Sequence, residues 1–115
     1  MDLSARRQAY ARRLDEAART AADVLSRVEG VRRVSVFGSY ARGRRNLFTD
    51  LDLLVVWETD RDLTERARHL YALLDVPVDL DLVCYTPDEL RRLEGSPFLH
   101  RIRAEEVVLY EKNPA

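Results

Sequence analysis

Residues 51 to 57, Leu-Asp-Leu-Leu-Val-Val-Trp, constrain the fold most, because every position after Asp52 is apolar. Side chains alternate between the faces of a strand, so a strand apolar at every position needs cover on both sides. The segment therefore predicts a central strand inside a layered α+β fold. Its entrance has the opposite character. Asp50 and Asp52 stand two residues apart, which puts both carboxylates on one face with Cα atoms about 7 Å apart. Such a pair repels unless a cation lies between its members, and two divalent ions about 4 Å apart suit oxygen donors of this kind. A bare Asp-x-Asp also suits a solvated strand end, so the pair alone leaves both readings open.

Flanking segments supply the covering layers. Residues 2 to 29 carry Leu3, Tyr10, Leu14, Ala21, Leu25 and Val28 on one helical stripe, with Gly30 as the stop. "VRRVSVF" (31 to 37) reads as a strand, 39 to 49 as a short helical turn and polar loop, and Leu63 to Asp75 as a helix closed by Pro77. "VDLDLVCY" (78 to 85) predicts a further strand. Val78, Leu80, Leu82 and Cys84 lie on one face, and Asp79, Asp81 and Val83 on the other. Thr86-Pro87-Asp88-Glu89 is a full capping box that starts a helix at 86 or 87, Ser96-Pro97 starts another, and "EVVLYE" (106 to 111) closes as a strand.

At 115 residues, all of them (1–115) fit one domain with one core. Apolar residues make up 46%, charged residues 34%, and the net charge of -1 argues against bulk nucleic-acid binding. No run reaches transmembrane length and the N-terminus lacks an apolar export signal, so a cytoplasmic location without membrane contact is the expectation. Cys84 is the single cysteine; it excludes an internal disulfide and suits a buried position. His69 and His100 lie on predicted helices without ligand spacing and read as solvent-facing or internally satisfied.

Gly38-Ser39 changes the weight of the acidic pair. Glycine lets the backbone turn sharply and approach a ligand, and a helix beginning there offers free N–H groups to an anion. The link from Ser39 to the next strand is too short for a parallel crossover, so the two strands should be antiparallel neighbours with the turn beside the aspartates. Arg42, Arg44 and Arg45 lie between turn and acids. They suit surface ion pairs, or compensation of charge on a leaving pyrophosphate. Tyr40 either covers the turn or stacks on a base. Turn, arginines and carboxylates together ask for a nucleoside triphosphate.

Gly38-Ser39, ten residues, then Asp50-Leu51-Asp52, with the local form Gly-Ser-x-Ala-Arg-Gly through Gly43, resembles the minimal nucleotidyltransferases of the polymerase-β-like superfamily. Thr49 stands where that family more often has serine, and Asp81-Leu82-Val83 is similar to its third-carboxylate pattern. The resemblance spans nearly the whole chain and implies a mixed sheet flanked by helices, the polymerase-β-like palm. It further implies that Gly38 and Ser39, with Arg42 and Arg45, hold ATP, and that Asp50, Asp52 and Asp81 are catalytic and bind two Mg²⁺ ions. Asp79 shares the face of Asp81 and is the alternative third carboxylate. The implied partner is a HEPN-type helical toxin encoded nearby, modified with AMP on a hydroxyl, a tyrosine foremost. Neutralisation by contact alone, or transfer to a small molecule, are the competing readings. Small-molecule transferases of this kind carry an added helical domain, for which this chain leaves no room beyond its core.

Overall fold

The computed structural model describes residues 2–113. Helix α1 spans Leu3–Ser26, and the side chain of its N-cap Asp2 accepts the Ala5 N–H. It buries Leu14, Ala17, Ala18, Ala21 and Leu25, the small residues letting helix and sheet approach closely. It stops at Ser26 rather than 29, because the chain turns through Gly30 at φ +93°.

The remaining elements are β1 (Val31–Phe37), α2 (Gly38–Ala41), β2 (Leu51–Trp57), α3 (Leu63–Leu73), β3 (Leu80–Tyr85), α4 (Pro87–Arg92), α5 (Pro97–Glu105) and β4 (Val107–Glu111). The strands form one mixed sheet in the order β3-β2-β1-β4. β1 pairs antiparallel with both β2 and β4, whereas β2 and β3 are parallel. The apolar run is thus central, as its pattern requires.

Two faces are covered by different helices. Leu51, Leu53, Val55 and Trp57 join Val34 and Val36 in the core beneath α1 and α3. By alternation Leu54 and Val56 point the other way, and both are buried there. The buried Leu99 and Ile102 of α5 supply apolar cover on that side. Cys84 is buried, and burial pushes its thiol up to about 12, as a packed hydrophobe requires. His69 packs on the Trp57 ring at 5.5 Å between centroids, while His100 is exposed.

The third strand departs from its expected bounds. Its ladder with β2 starts at Leu80 instead of 78. Pro77 has no N–H to give, and Asp79 contributes its carbonyl to the Leu51 N–H at 2.9 Å just before the strand begins. α3 likewise ends at Leu73 rather than 75, with Leu74 already extended. The capping box at α4 is complete: Thr86 Oγ1 accepts the Glu89 N–H and Glu89 Oε1 accepts the Thr86 N–H. Glu89 also receives two hydrogen bonds from buried Arg66, at 2.7 and 3.2 Å, and these lead the effects that hold its carboxyl below the usual range. Among the described residues no helix is long and apolar enough to cross a membrane.

Candidate active site

Register assembles the acidic cluster. Asp52 stands opposite Phe37 across the antiparallel pair and opposite Asp81 across the parallel pair. Asp52 and Asp81 therefore occupy one row of the sheet, on the face that α5 covers, and Asp50 precedes the row by two residues. Asp79 lies a strand step outside it, where its charge and that of Asp50 raise the Tyr10 hydroxyl pKa after burial has done so. Tyr10 donates to the Thr49 carbonyl at 2.9 Å, tying α1 to the loop before Asp50.

Asp52 is half-buried, and its carboxyl is pushed up to about 6. Burial is the main cause, followed by the charges of Asp81, Asp50 and Glu105, and only Arg42 opposes them. This excess of negative charge is the electrostatic condition for a divalent cation. No group of three or more acidic, histidine or cysteine side chains encloses an ion by itself among the described residues. Mg²⁺ fits such an open donor set, since it takes one or two carboxylates and completes its shell with water and substrate phosphates.

The glycine turn abuts these acids. Phe37, last in β1, leads directly into Gly38, whose φ is +73°. A Cβ there would lie 2.2 Å from Asp52 Oδ2, so sterics and backbone conformation both demand glycine. Its N–H donates to Glu105 Oε1 at 2.9 Å, and Arg42 Nη1 donates to Glu105 Oε2 at 2.8 Å. Those bonds, that of Arg42 foremost, hold the Glu105 carboxyl below its usual range.

The two candidate arginines face different ways. Arg42 is exposed beside the turn and acids. Arg45 bonds to Asp15 Oδ1 at 3.1 Å and to the Tyr40 carbonyl at 2.7 Å, with its guanidinium 3.7 Å from the centre of the Tyr40 ring. Tyr40 is itself buried and donates its hydroxyl to Asp15 at 2.6 Å. It covers the turn from the α1 side, and burial together with this bond pushes its hydroxyl pKa up to about 12. Sequence reasoning missed Glu105. The available signal was an acid in the last helical turn, where the helix dipole disfavours it unless something else holds it.

The family profile of the nucleotidyltransferase domain matches residues 18–110. The chain belongs to the nucleotidyltransferase domain family. A Methanocaldococcus jannaschii protein named "Putative protein adenylyltransferase" is 37% identical over 57 residues, a match spanning 49% of this chain and 61% of that relative, less than two thirds of its length. A solved "putative minimal nucleotidyltransferase" is 31% identical, with 93% of this chain and 95% of that one covered and a TM-score of 0.55. A Sulfolobus solfataricus "putative nucleotidyltransferase" shares the fold at a TM-score of 0.66 and 18% identity, covering 95% and 90% of the two chains. The MntA-HpeT toxin-antitoxin structure shares the fold at a TM-score of 0.52 and 20% identity, over 84% and 74%. The nucleotidyltransferase match takes in β1, the Gly38 turn and all three aspartates of the cluster.

Proposed function

We propose that this chain transfers AMP from ATP to a hydroxyl group of a helical partner protein, and that Asp50, Asp52 and Asp81 carry the reaction. The observation that bears most weight is the register that sets Asp81 beside Asp52, directly against the left-handed Gly38 turn. Asp50, Asp52 and Asp81 are assigned to hold two Mg²⁺ ions, which when bound supply charge compensation for the triphosphate and lower the pKa of the attacking hydroxyl. The Gly38 and Ser39 N–H groups and Arg42 are assigned to the β- and γ-phosphates. Arg45 braces the turn through Asp15 and Tyr40 and adds its field.

In the reaction the Asp81 carboxylate takes the proton of the acceptor hydroxyl. The acceptor oxygen forms a bond to the α-phosphorus, the bond from that phosphorus to the oxygen bridging the β-phosphate breaks, and pyrophosphate leaves in line. A protein acceptor is supported by the name of the curated relative. A toxin-antitoxin setting is supported by the MntA-HpeT likeness, and a HEPN-type partner with a tyrosine acceptor by the motif resemblance.

Incubating the chain with the helical protein encoded beside its gene, ATP and Mg²⁺ should add one or more AMP masses to that protein by intact mass spectrometry. Asp50→Asn should add none. A partner left unmodified, yet still bound and neutralised by Asp50→Asn, would replace transfer with neutralisation by contact.

A further inference from the structure

We propose that Glu105 is a built-in stand-in for the nucleotide phosphates, which ATP must displace from the Gly38 turn. This rests on the assignment of that turn to the triphosphate. Glu105 is the last residue of α5 and lies 67 positions from Gly38 in sequence, yet its two carboxylate oxygens take separate donors of the turn. Oε1 accepts the Gly38 N–H at 2.9 Å and Oε2 accepts Arg42 Nη1 at 2.8 Å. A backbone N–H at a left-handed glycine beside a guanidinium is the donor pair that a phosphate oxygen pair would use.

Neither a surface ion pair nor a structural tie accounts for the full placement. A carboxylate at the C-terminal end of a helix opposes the helix dipole, and this one also adds its charge to the field of Asp50 and Asp81 on Asp52. Glu106, the next residue, pairs with Arg103 of α5 at 2.9 Å and accepts from Ser35 Oγ at 2.9 Å. Glu105 instead reaches back to the turn. Its side chain keeps 19% of its surface exposed and that of Arg42 keeps 52%, so it can swing to solvent by rotamer change, without unpacking the buried Leu99 and Ile102 of α5. A triphosphate arriving at the same donors would repel the carboxylate and drive that swing.

Competition has a sign that a supporting role lacks. Removing Glu105 frees two donors, so Glu105→Ala should tighten binding of Mg²⁺-ATP and of inorganic tripolyphosphate alike, by about tenfold for one charge-assisted and one backbone hydrogen bond released. Glu105→Gln keeps the shape and loses the charge, and should tighten both by a smaller factor. Calorimetry on the full chain, with thermal melting to confirm that both variants fold, reads this directly. Unchanged or weaker binding by both folded variants, with the wild type binding both ligands, would overturn the stand-in role and leave the triphosphate assignment in place. Binding of neither ligand by the wild type or the variants would overturn both. An effect on ATP without one on tripolyphosphate would also overturn the stand-in role, because it would place the competition at the nucleoside.

Discussion

Gly30 and Gly38 bracket the same strand, both have positive φ (+93° and +73°), and at both a Cβ would overlap an oxygen, at 2.4 and 2.2 Å. What differs is the oxygen. At Gly30 it is the backbone carbonyl of Glu58, within a clasp in which the Glu58 N–H donates to the Gly30 carbonyl and the Trp57 indole N–H to that of Glu29. At Gly38 it is the carboxylate of Asp52, whose pKa is raised first by burial and then by the charges of the acids around it. One steric device thus serves two ends: one locks the sheet, and the other brings the turn against a carboxylate that burial and like charge disfavour. A half-buried acid kept among like charges lowers stability, and groups perturbed in this way concentrate at functional sites.

The largest effect should come from the acids. Asp50→Asn, Asp52→Asn and Asp81→Asn should each lower AMP transfer by about a thousandfold or more, because the amide keeps the shape and loses the charge that holds the cation. Asp79→Asn should stay within a few fold of wild type. Single-turnover rates check both, and the reverse ranking of positions 79 and 81 would shift the site by one strand step.

Valine at the two glycines should separate the ends of β1. Gly30→Val should cost about 3 kcal/mol in urea unfolding through strain and backbone overlap, while the folded fraction binds ATP normally. Gly38→Val should instead weaken ATP at least about tenfold, and more than Ser39→Ala does. Equal losses of affinity at both ends would erase the distinction.

A smaller effect concerns pH. The folded pKa of Asp52, about 6, lies above its ordinary 3.8. Its charge therefore costs stability that is absent below about pH 4, appears as pH rises through 6 and is complete above it. Asp52→Asn should be more stable than wild type at pH 8 by about 1 kcal/mol, solvent access of this half-buried group screening the rest, and the difference should vanish below pH 4. Burial contributes most to this shift, the charges of Asp81, Asp50 and Glu105 add to it, and Arg42 opposes it. Smallest of all, Tyr40→Phe should lose about 1 kcal/mol with its bond to Asp15 and leave ATP affinity unchanged.

Much of this was legible in the residues. The run of apolar positions after Asp52 places β2 at the centre, the short link from Ser39 makes β1 and β2 antiparallel, and Thr86 to Glu89 announces α4. Alternation alone puts Asp79 and Asp81 on the same face. The β2-β3 ladder, which starts only after Pro77, sets Asp81 beside Asp52. Spacing likewise could not orient Arg42 and Arg45, because Asp15, which turns Arg45 toward α1, comes from a helix thirty residues earlier. Glu105 is a similar case: its place in the last turn of α5 marks it as an unfavoured acid, but its partners Gly38 and Arg42 are brought to it by tertiary packing alone.

The most direct test of the account reads both ends of β1 in one spectrum. Mn²⁺ added in substoichiometric amounts with a non-hydrolysable ATP analogue to ¹⁵N-labelled protein should first broaden the amides of Gly38, Ser39, Asp52 and Asp81. Those of Gly30, Trp57 and Glu58 should stay sharp. Broadening that starts at the Gly30 end, or spreads evenly over both ends, would contradict a metal and nucleotide site built on the three aspartates and the Gly38 turn.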